Sequence, residues 1–392
     1  MRVQRIAVCG SAGTGKSTLA NTLATRFGYP LIPDRIDDVL RALGYQSWLQ
    51  VPSEAAVRLR FEALLLKIED ETANEAFVSD KCVVDYLGYW NLNTAPKASA
   101  GDRQRFRALV DSHVARYDLM LLLPWGRRPI DPVPRRYENP EHQLRVQSSI
   151  VQAMAELRAP VMPFDPWKEK VAQRAVEAIG KWSQRGRRQG EHQVGLFVGT
   201  FDPPTKGHIS CAVRALEVCD EVWFCPNPDN PTAVRRHVGL ERRAEMLRLA
   251  MAEETRMRVY LSEHNPYLPY LEDRRTTGRR TGLLTEVKAK WPDVRFWVMM
   301  GSDKLSTPVY QEPEHELAEV GHIVCERSGA MNRDALAKLD WWIVLWNVGS
   351  GSSSEVKARL SRGEAVWDLV PRAVGEYIAD HDLYGATGVS RS

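Results

Sequence analysis

Arg5-Ile-Ala-Val-Cys9-Gly10-Ser-Ala-Gly13-Thr-Gly15-Lys16-Ser17-Thr18 carries a short, largely apolar run straight into a glycine loop that fits GxxxxGK[ST]. The run reads as a buried strand and the residues behind Thr18 as a helix, which is the context this pattern requires. Gly10, Gly13 and Gly15 let the backbone curl so that N–H groups face phosphate oxygens, and the helix N-terminus adds partial positive charge. Lys16 is placed to reach the β- and γ-phosphates and Ser17 to ligate Mg²⁺, with Thr18 beside it. ATP is the expected ligand.

Outward from this loop, short apolar runs alternate with helical patterns. Tyr29 to Pro33, Phe77 to Asp80, Leu119 to Leu123 and Val161 to Phe164 read as further strands, and a last helix is expected around Lys168 to Trp182. Such alternation specifies a parallel sheet with right-handed crossovers. Asp34, closing the second strand, reads equally as a base that takes a hydroxyl proton and as the N-cap of the helix at Ile36. Asp80, at the tip of Ala76-Phe-Val-Ser-Asp80, is Walker-B-like and suited to holding Mg²⁺ with Ser17. Asp85 and Tyr86 read either as substrate contacts or as a surface acid and a core aromatic. Arg127, Arg128, Arg135 and Arg136 lie in a proline-broken loop, where they form a lid over the transferring phosphoryl group or an exposed basic loop. This half resembles the nicotinamide riboside kinases found fused to adenylyltransferases and, more loosely, the deoxynucleoside kinases. The resemblance implies a P-loop kinase fold with nicotinamide riboside as acceptor.

Ser183-Gln-Arg-Gly-Arg-Arg-Gln-Gly190 has no apolar periodicity, and we expect a linker over residues 184–193 between a domain at 1–183 and one at 194–392. The alternation then restarts, with strands expected at Val194 to Val198, Glu221 to Cys225, Arg258 to Leu261, Arg295 to Met299, His322 to Cys325 and Trp341 to Leu345. Helical stretches such as Leu240 to Ala252 and Leu283 to Lys290 separate them. The fold class expected is α/β, two domains, each a parallel β-sheet flanked by helices.

Gly199-Thr200-Phe201-Asp202-Pro-Pro-Thr205-Lys-Gly207-His208 follows a strand and leads into a helix. Small residues suit close approach of a triphosphate, and His208 at a helix N-terminus is placed to donate to an α-phosphate. The run resembles the (H/T)xGH signature of the nucleotidyltransferase superfamily, which implies a Rossmann-like fold. Further elements appear in the family's order. Gly301-Ser-Asp303 resembles its GxD element, Cys325-Glu-Arg327 the strand end after it, and Ser352-Ser353-Ser354-Glu-Val-Lys357 its ISSTxIR motif. Residues Leu360 to Tyr384 resemble the closing helix pair of nicotinate and nicotinamide mononucleotide adenylyltransferases. The resemblance implies ATP contacts at Gly199, Thr200, Phe201, Thr205, Gly207, His208, Gly301, Asp303, Ser352, Ser353, Ser354 and Lys357, and mononucleotide contacts at Asp202, Thr281, Tyr310 and Arg327. Lys16, Asp34, His208 and Lys357 are the catalytic candidates. Thr205 in place of histidine is shared with phosphopantetheine adenylyltransferases, so coenzyme A chemistry stays open as an alternative. A P-loop half that senses ATP without turnover stays open too.

With 53 basic and 50 acidic residues the net charge is only +3, which gives no support for nucleic-acid binding, and no segment approaches the ~18 apolar residues of a membrane span. The six cysteines have no CxxC or metal-ligand spacing, so reduced, buried thiols are expected. The N-terminus enters the glycine loop without a signal-peptide core, and a cytoplasmic location is expected. The small molecules expected are ATP, nicotinamide riboside and nicotinamide mononucleotide; a homo-oligomer is left open.

Overall fold

The computed structural model describes residues 3–127, 139–185, 192–227, 238–262, 282–307, 310, 320–326, 331–346 and 351–385. The chain forms two compact units, residues 1–190 with 336–343 and residues 191–335 with 344–392.

In the first unit the elements run β1 (Arg5–Cys9), α1 (Lys16–Phe27), β2 (Leu31–Ile32), α2 (Ile36–Ala42), α3 (Ser53–Thr72), β3 (Phe77–Asp80), α4 (Val83–Asn93), α5 (Ala100–Val114), β4 (Leu119–Leu122), α6 (Pro140–Glu156), β5 (Val161–Pro163) and α7 (Val171–Arg185). The strands form one parallel sheet in the order β2-β3-β1-β4-β5. Near-continuous apolar strands belong in a sheet covered on both faces. Ile6 and Val8 accordingly pack with Leu19 and Leu23 of α1 and with Ala175 and Ile179 of α7. The chain leaves β1 toward β2 and β3 on one side and returns to β4 and β5 on the other, so the crevice at the carboxyl end of β1 is a topological switch point. Register places Val8 beside Asp80, which brings the tip of β3 to the glycine loop.

Several boundaries differ from the sequence expectation. β2 is two residues long because Gly28, left-handed at φ 67°, caps α1 and Tyr29 N–H closes that cap on Ala24 O at 3.1 Å. Helix α7 starts only at Val171 because Lys170 is left-handed (φ 53°), and it runs past Trp182 to Arg185. In the second unit β8 spans Met257–Val259, an edge strand paired residue for residue with Val222 to Phe224.

The second unit runs β6 (Gln193–Gly199), α8 (Lys206–Ala215), β7 (Glu221–Pro226), α9 (Leu240–Ala250), β8, α10 (Leu283–Lys290), β9 (Arg295–Gly301) and β10 (Gly321–Cys325). A short helix α11 (Arg333–Leu336) precedes β11 (Trp342–Leu345), and α12 (Ser353–Leu360) and α13 (Arg372–Asp380) follow. The sheet order is β11-β10-β9-β6-β7-β8, parallel from β10 to β8. Here β6 occupies the switch point. Met246 of α9 packs with Val356 and Leu360 of α12 and with Val374 and Ile378 of α13, so the C-terminal helices close one side of the unit. All six cysteines are buried free thiols, and no described helix is long and apolar enough to cross a membrane.

Helices α4 and α6 meet at Gly88, where a Cβ would lie 3.0 Å from both the backbone N and Cα of Ile150. Gly88→Ala should therefore destabilise by about 1–3 kcal/mol, outweighing the ~1 kcal/mol that alanine gains in helix propensity. Urea unfolding of the two proteins measures it; an unchanged or raised midpoint would show that the helices part at little cost.

Candidate active sites

The glycine loop at the end of β1 is built against side chains from two other helices. Gly10 N–H donates to Asp85 Oδ1 at 2.8 Å, Ser11 N–H to Gln147 Oε1 at 2.7 Å and Ala12 N–H to Gln143 Oε1 at 3.2 Å. Asp85 Oδ2 also accepts Cys82 N–H at 2.8 Å, completing a capping box at the start of α4. Asp85 is wholly buried and so not the surface acid that the sequence allowed; burial raises its pKa against the pull of Lys16. Gly10 and Gly15 need to be glycine: their φ values are 134° and 92°, and a Cβ would meet Leu123 O and the Trp167 ring at 3.0 Å. The first three N–H groups being spent on side chains, a phosphate is left those from Gly13 onward.

Lys16 is buried with Nζ on Ser11 O at 2.6 Å. Burial brings its pKa down to about 8, Lys81 adding to the effect and Asp85, Asp80 and Asp34 opposing it. Ser17 and Thr18 are exposed on the first turn of α1. Asp34 is not the N-cap of α2: that position is Arg35, which has no side-chain cap bond, and Asp34 stands one residue before it. Its Oδ1 accepts Ile36 N–H at 3.2 Å, starting α2, and the Tyr86 hydroxyl at 2.7 Å, while Oδ2 pairs with Lys81. Burial opposes ionisation of Asp34, but Lys81 and these hydrogen bonds outweigh it and hold the carboxyl well below the usual range. Asp80 is half-buried, and its carboxylate has no hydrogen bond or ion pair among the described residues. The Ser17 hydroxyl and the Asp80 carboxylate are each hard oxygen donors of the kind Mg²⁺ takes. Of the lid arginines, Arg127 lies 3.8 Å from Asp165; Arg128, Arg135 and Arg136 fall outside the described residues.

In the second unit the loop after β6 turns under itself. Phe201, buried and at φ 52°, lies against Gly199, where a Cβ would come within 2.9 Å of its ring. Thr205 caps α8, and its own N–H donates to His208 Nδ1 at 3.0 Å. A backbone N–H can only donate, so neutral His208 carries its proton on Nε2. Thr205 Oγ1 also donates to Gly351 O at 3.1 Å, and Ser353 Oγ to Pro203 O at 2.8 Å. The two signatures, about 150 residues apart in the chain, are clasped together by these bonds. Ser352 caps α12, accepting Glu355 N–H at 3.1 Å, and Ser354 is exposed. Lys357 Nζ lies 3.0 Å from Asp202 Oδ2. Buried Asp202 also accepts the Tyr384 hydroxyl at 2.6 Å and Val238 N–H at 3.2 Å. Asp303 stands exposed beyond Gly301, and Gly207 is buried at the start of α8. Tyr310 is buried edge-on to His322. Thr281 and Arg327 lie outside the described residues.

A family model described as cytidylyltransferase-like matches residues 196–359, and one described as an AAA domain matches residues 5–174. A probable nicotinate-nucleotide adenylyltransferase of Myxococcus xanthus is 30% identical over 197 residues, 49% of this chain and 95% of that protein. One from Salinibacter ruber is 34% identical over 202 residues, 50% of this chain and 98% of its own. The solved Plasmodium falciparum nicotinic acid mononucleotide adenylyltransferase in complex with NaAD aligns with 50% of this chain and 98% of its own, at 19% identity and a TM-score of 0.39. The chain belongs to the nicotinate-nucleotide adenylyltransferase family. The adenylyltransferase is its C-terminal part, and the N-terminal part is a P-loop domain.

For this adenylyltransferase the threonine at 205 has a physical account: its hydroxyl accepts His208 N–H at the α8 cap and donates to the Gly351 carbonyl. Sequence reasoning missed Lys67, Lys81, Arg60, Arg243 and Tyr384. Lys67 Nζ takes the carbonyls of Ile32, Pro33 and Asp80 at 3.2, 2.9 and 3.0 Å. Arg243 takes those of Val238, Thr200 and Asn227, each at 2.7 Å. The signal was present for α3, where Arg60, Lys67 and Glu71 recur at helical spacing on the stripe of Ala63 and Leu64. Charges on an apolar stripe mark buried polar work.

Lys16 is charged below about pH 8 and neutral above it, and only the charged form pairs with phosphate. ADP affinity of the P-loop unit should therefore fall as pH rises through about 8, approaching tenfold per pH unit. Calorimetric titration between pH 6.5 and 9.5, with Lys16→Met as reference, should show the loss in the wild type alone. A difference between the two proteins that does not change with pH would contradict the assignment.

Proposed function

We propose that the chain makes a pyridine dinucleotide in two ATP-dependent steps. Residues 1–183 phosphorylate nicotinamide riboside or its nicotinate counterpart, and residues 194–392 adenylylate the resulting mononucleotide, giving NAD from the nicotinamide form and releasing pyrophosphate. The observation that carries the second step is the Thr205 clasp, which leaves the His208 proton on Nε2 and joins the loop of His208 to that of Ser352 to Ser354. The family relationship supports the same reading.

Both steps move phosphorus between oxygens, so alignment and charge neutralisation supply the catalysis. In the second unit the mononucleotide phosphate attacks the α-phosphorus of ATP. His208 Nε2–H donates to the oxygen where charge builds, Lys357 adds a cation held by Asp202, and the α12 N-terminus with its serines receives the β- and γ-phosphates. In the first unit Lys16 meets the β- and γ-phosphates and Asp34 receives the acceptor's hydroxyl proton. A weakly basic carboxylate suffices there because the transferring group is metaphosphate-like and the hydroxyl gives up its proton late. Ser17 and Asp80 would hold Mg²⁺, whose charge offsets that of the phosphates.

Incubation of the protein with each riboside, ATP and Mg²⁺, followed by mass spectrometry, tests the sequence of steps. Lys16→Ala should cut dinucleotide formation from riboside by on the order of a hundredfold or more and spare its formation from mononucleotide. His208→Ala should stop the second step from either start and let mononucleotide accumulate. No mononucleotide and no dinucleotide from either riboside would refute the proposal.

A further inference from the structure

Among the described residues, the cations packed beside the strand ends have obvious acceptors, with one exception. Lys67 takes three carbonyls, Lys81 pairs with Asp34 and Arg243 takes three carbonyls. Arg60, only 5% exposed, has no hydrogen bond or ion pair among the described residues, and its Nε is buried without an acceptor. Its guanidinium carbon instead lies 3.7 Å over the Trp48 ring and 5.6 Å from the centre of the Tyr89 ring. Burying such a group unpaired is costly, and native structures seldom do so without a ligand or solvent partner. Burial takes its pKa down to about 10 although Tyr89, Asp34 and Tyr86 all pull the other way.

Arg60, with no hydrogen-bond or ion-pair partner among the described residues, also stands in a particular place. Tyr89 also faces Lys81 Nζ at 5.2 Å, and Lys81 and Tyr86 both bind Asp34. Successive close approaches therefore link Trp48, Arg60, Tyr89, Lys81 and Asp34, from a stacked aromatic to the carboxylate proposed above to meet the acceptor's hydroxyl. From α6, His142 is close enough for Arg60 to join burial in lowering its pKa, so it brings a neutral ring. An acceptor that fits this row of side chains offers a hydroxyl at one end and, at the other, oxygen lone pairs in the plane of a guanidinium. A carboxylate offers two such oxygens and a negative charge. A carboxamide offers one oxygen and sets its own N–H donors against those of arginine. On a pyridinium riboside the carboxamide form is also a net cation, whereas the carboxylate form is neutral.

We propose that Arg60 binds a carboxylate on the acceptor's ring and makes the P-loop unit select nicotinate riboside over nicotinamide riboside. This rests on the kinase reading above. Steady-state phosphorylation of the two ribosides by the full chain, with Mg²⁺ and saturating ATP, tests it. The wild type should favour nicotinate riboside in kcat/KM by about tenfold or more, and Arg60→Met should collapse that ratio by a similar factor, with Arg60→Lys between them. Equal rates on the two acceptors, a preference for the carboxamide, or an Arg60→Met effect that scales both alike would overturn the inference and leave the kinase reading standing. Phosphorylation of neither would remove both. The wild-type ratio decides the matter even where a variant fails to fold.

Discussion

Backbone groups that leave a parallel sheet at its carboxyl edge have no ladder partner, and in both units a buried cation supplies one. Lys67 gathers the carbonyls of Ile32, Pro33 and Asp80, at the tips of β2 and β3. Arg243 gathers those of Thr200, Asn227 and Val238 around the ends of β6 and β7. Each carbonyl left without a donor would cost about 1–3 kcal/mol, so the strand ends and the residues on them are held in one arrangement. Asp34 and Asp80 inherit their positions from the first cation, and the loop that carries Asp202 and His208 from the second.

The glycine loops answer a related demand. A loop that offers its N–H groups to phosphate cannot spend them all on itself, yet it must keep its shape when no phosphate is present. Asp85, Gln143 and Gln147 hold the first three N–H groups of the P-loop and leave the rest. In the second unit Thr205 and His208 cap one another, and that contact decides which nitrogen of the ring carries the proton. The charges are treated in the same way. Lys81 keeps Asp34 ionised, and Asp202 lies against Lys357, so each of these two side chains has a counter-charge beside it.

The alternation of apolar runs and helical patterns was enough to place nearly every strand, because parallel strands covered on both faces have to be apolar throughout. Misplaced boundaries lay where backbone conformation rather than hydrophobicity ends an element, as at Gly28 and Lys170. The glycine, hydroxyl and histidine positions were legible because local backbone geometry dictates them. The surface reading of Asp85 failed because an acid near the start of a helix looks solvated from its neighbours alone, whereas its partner Gly10 lies 75 residues away.

By itself, then, the sequence determined the two parallel α/β sheets, the P-loop and the (H/T)xGH loop, since each is written in contiguous residues whose spacing carries the physics. Only the tertiary structure decided which charges are paired. It set Lys81 on Asp34, Lys357 on Asp202, the clasp from Thr205 to Gly351, and Arg60 against Trp48 with no acceptor among the described residues. Pairing depends on burial and on distance between residues remote in the chain, and neither is a property of any local stretch.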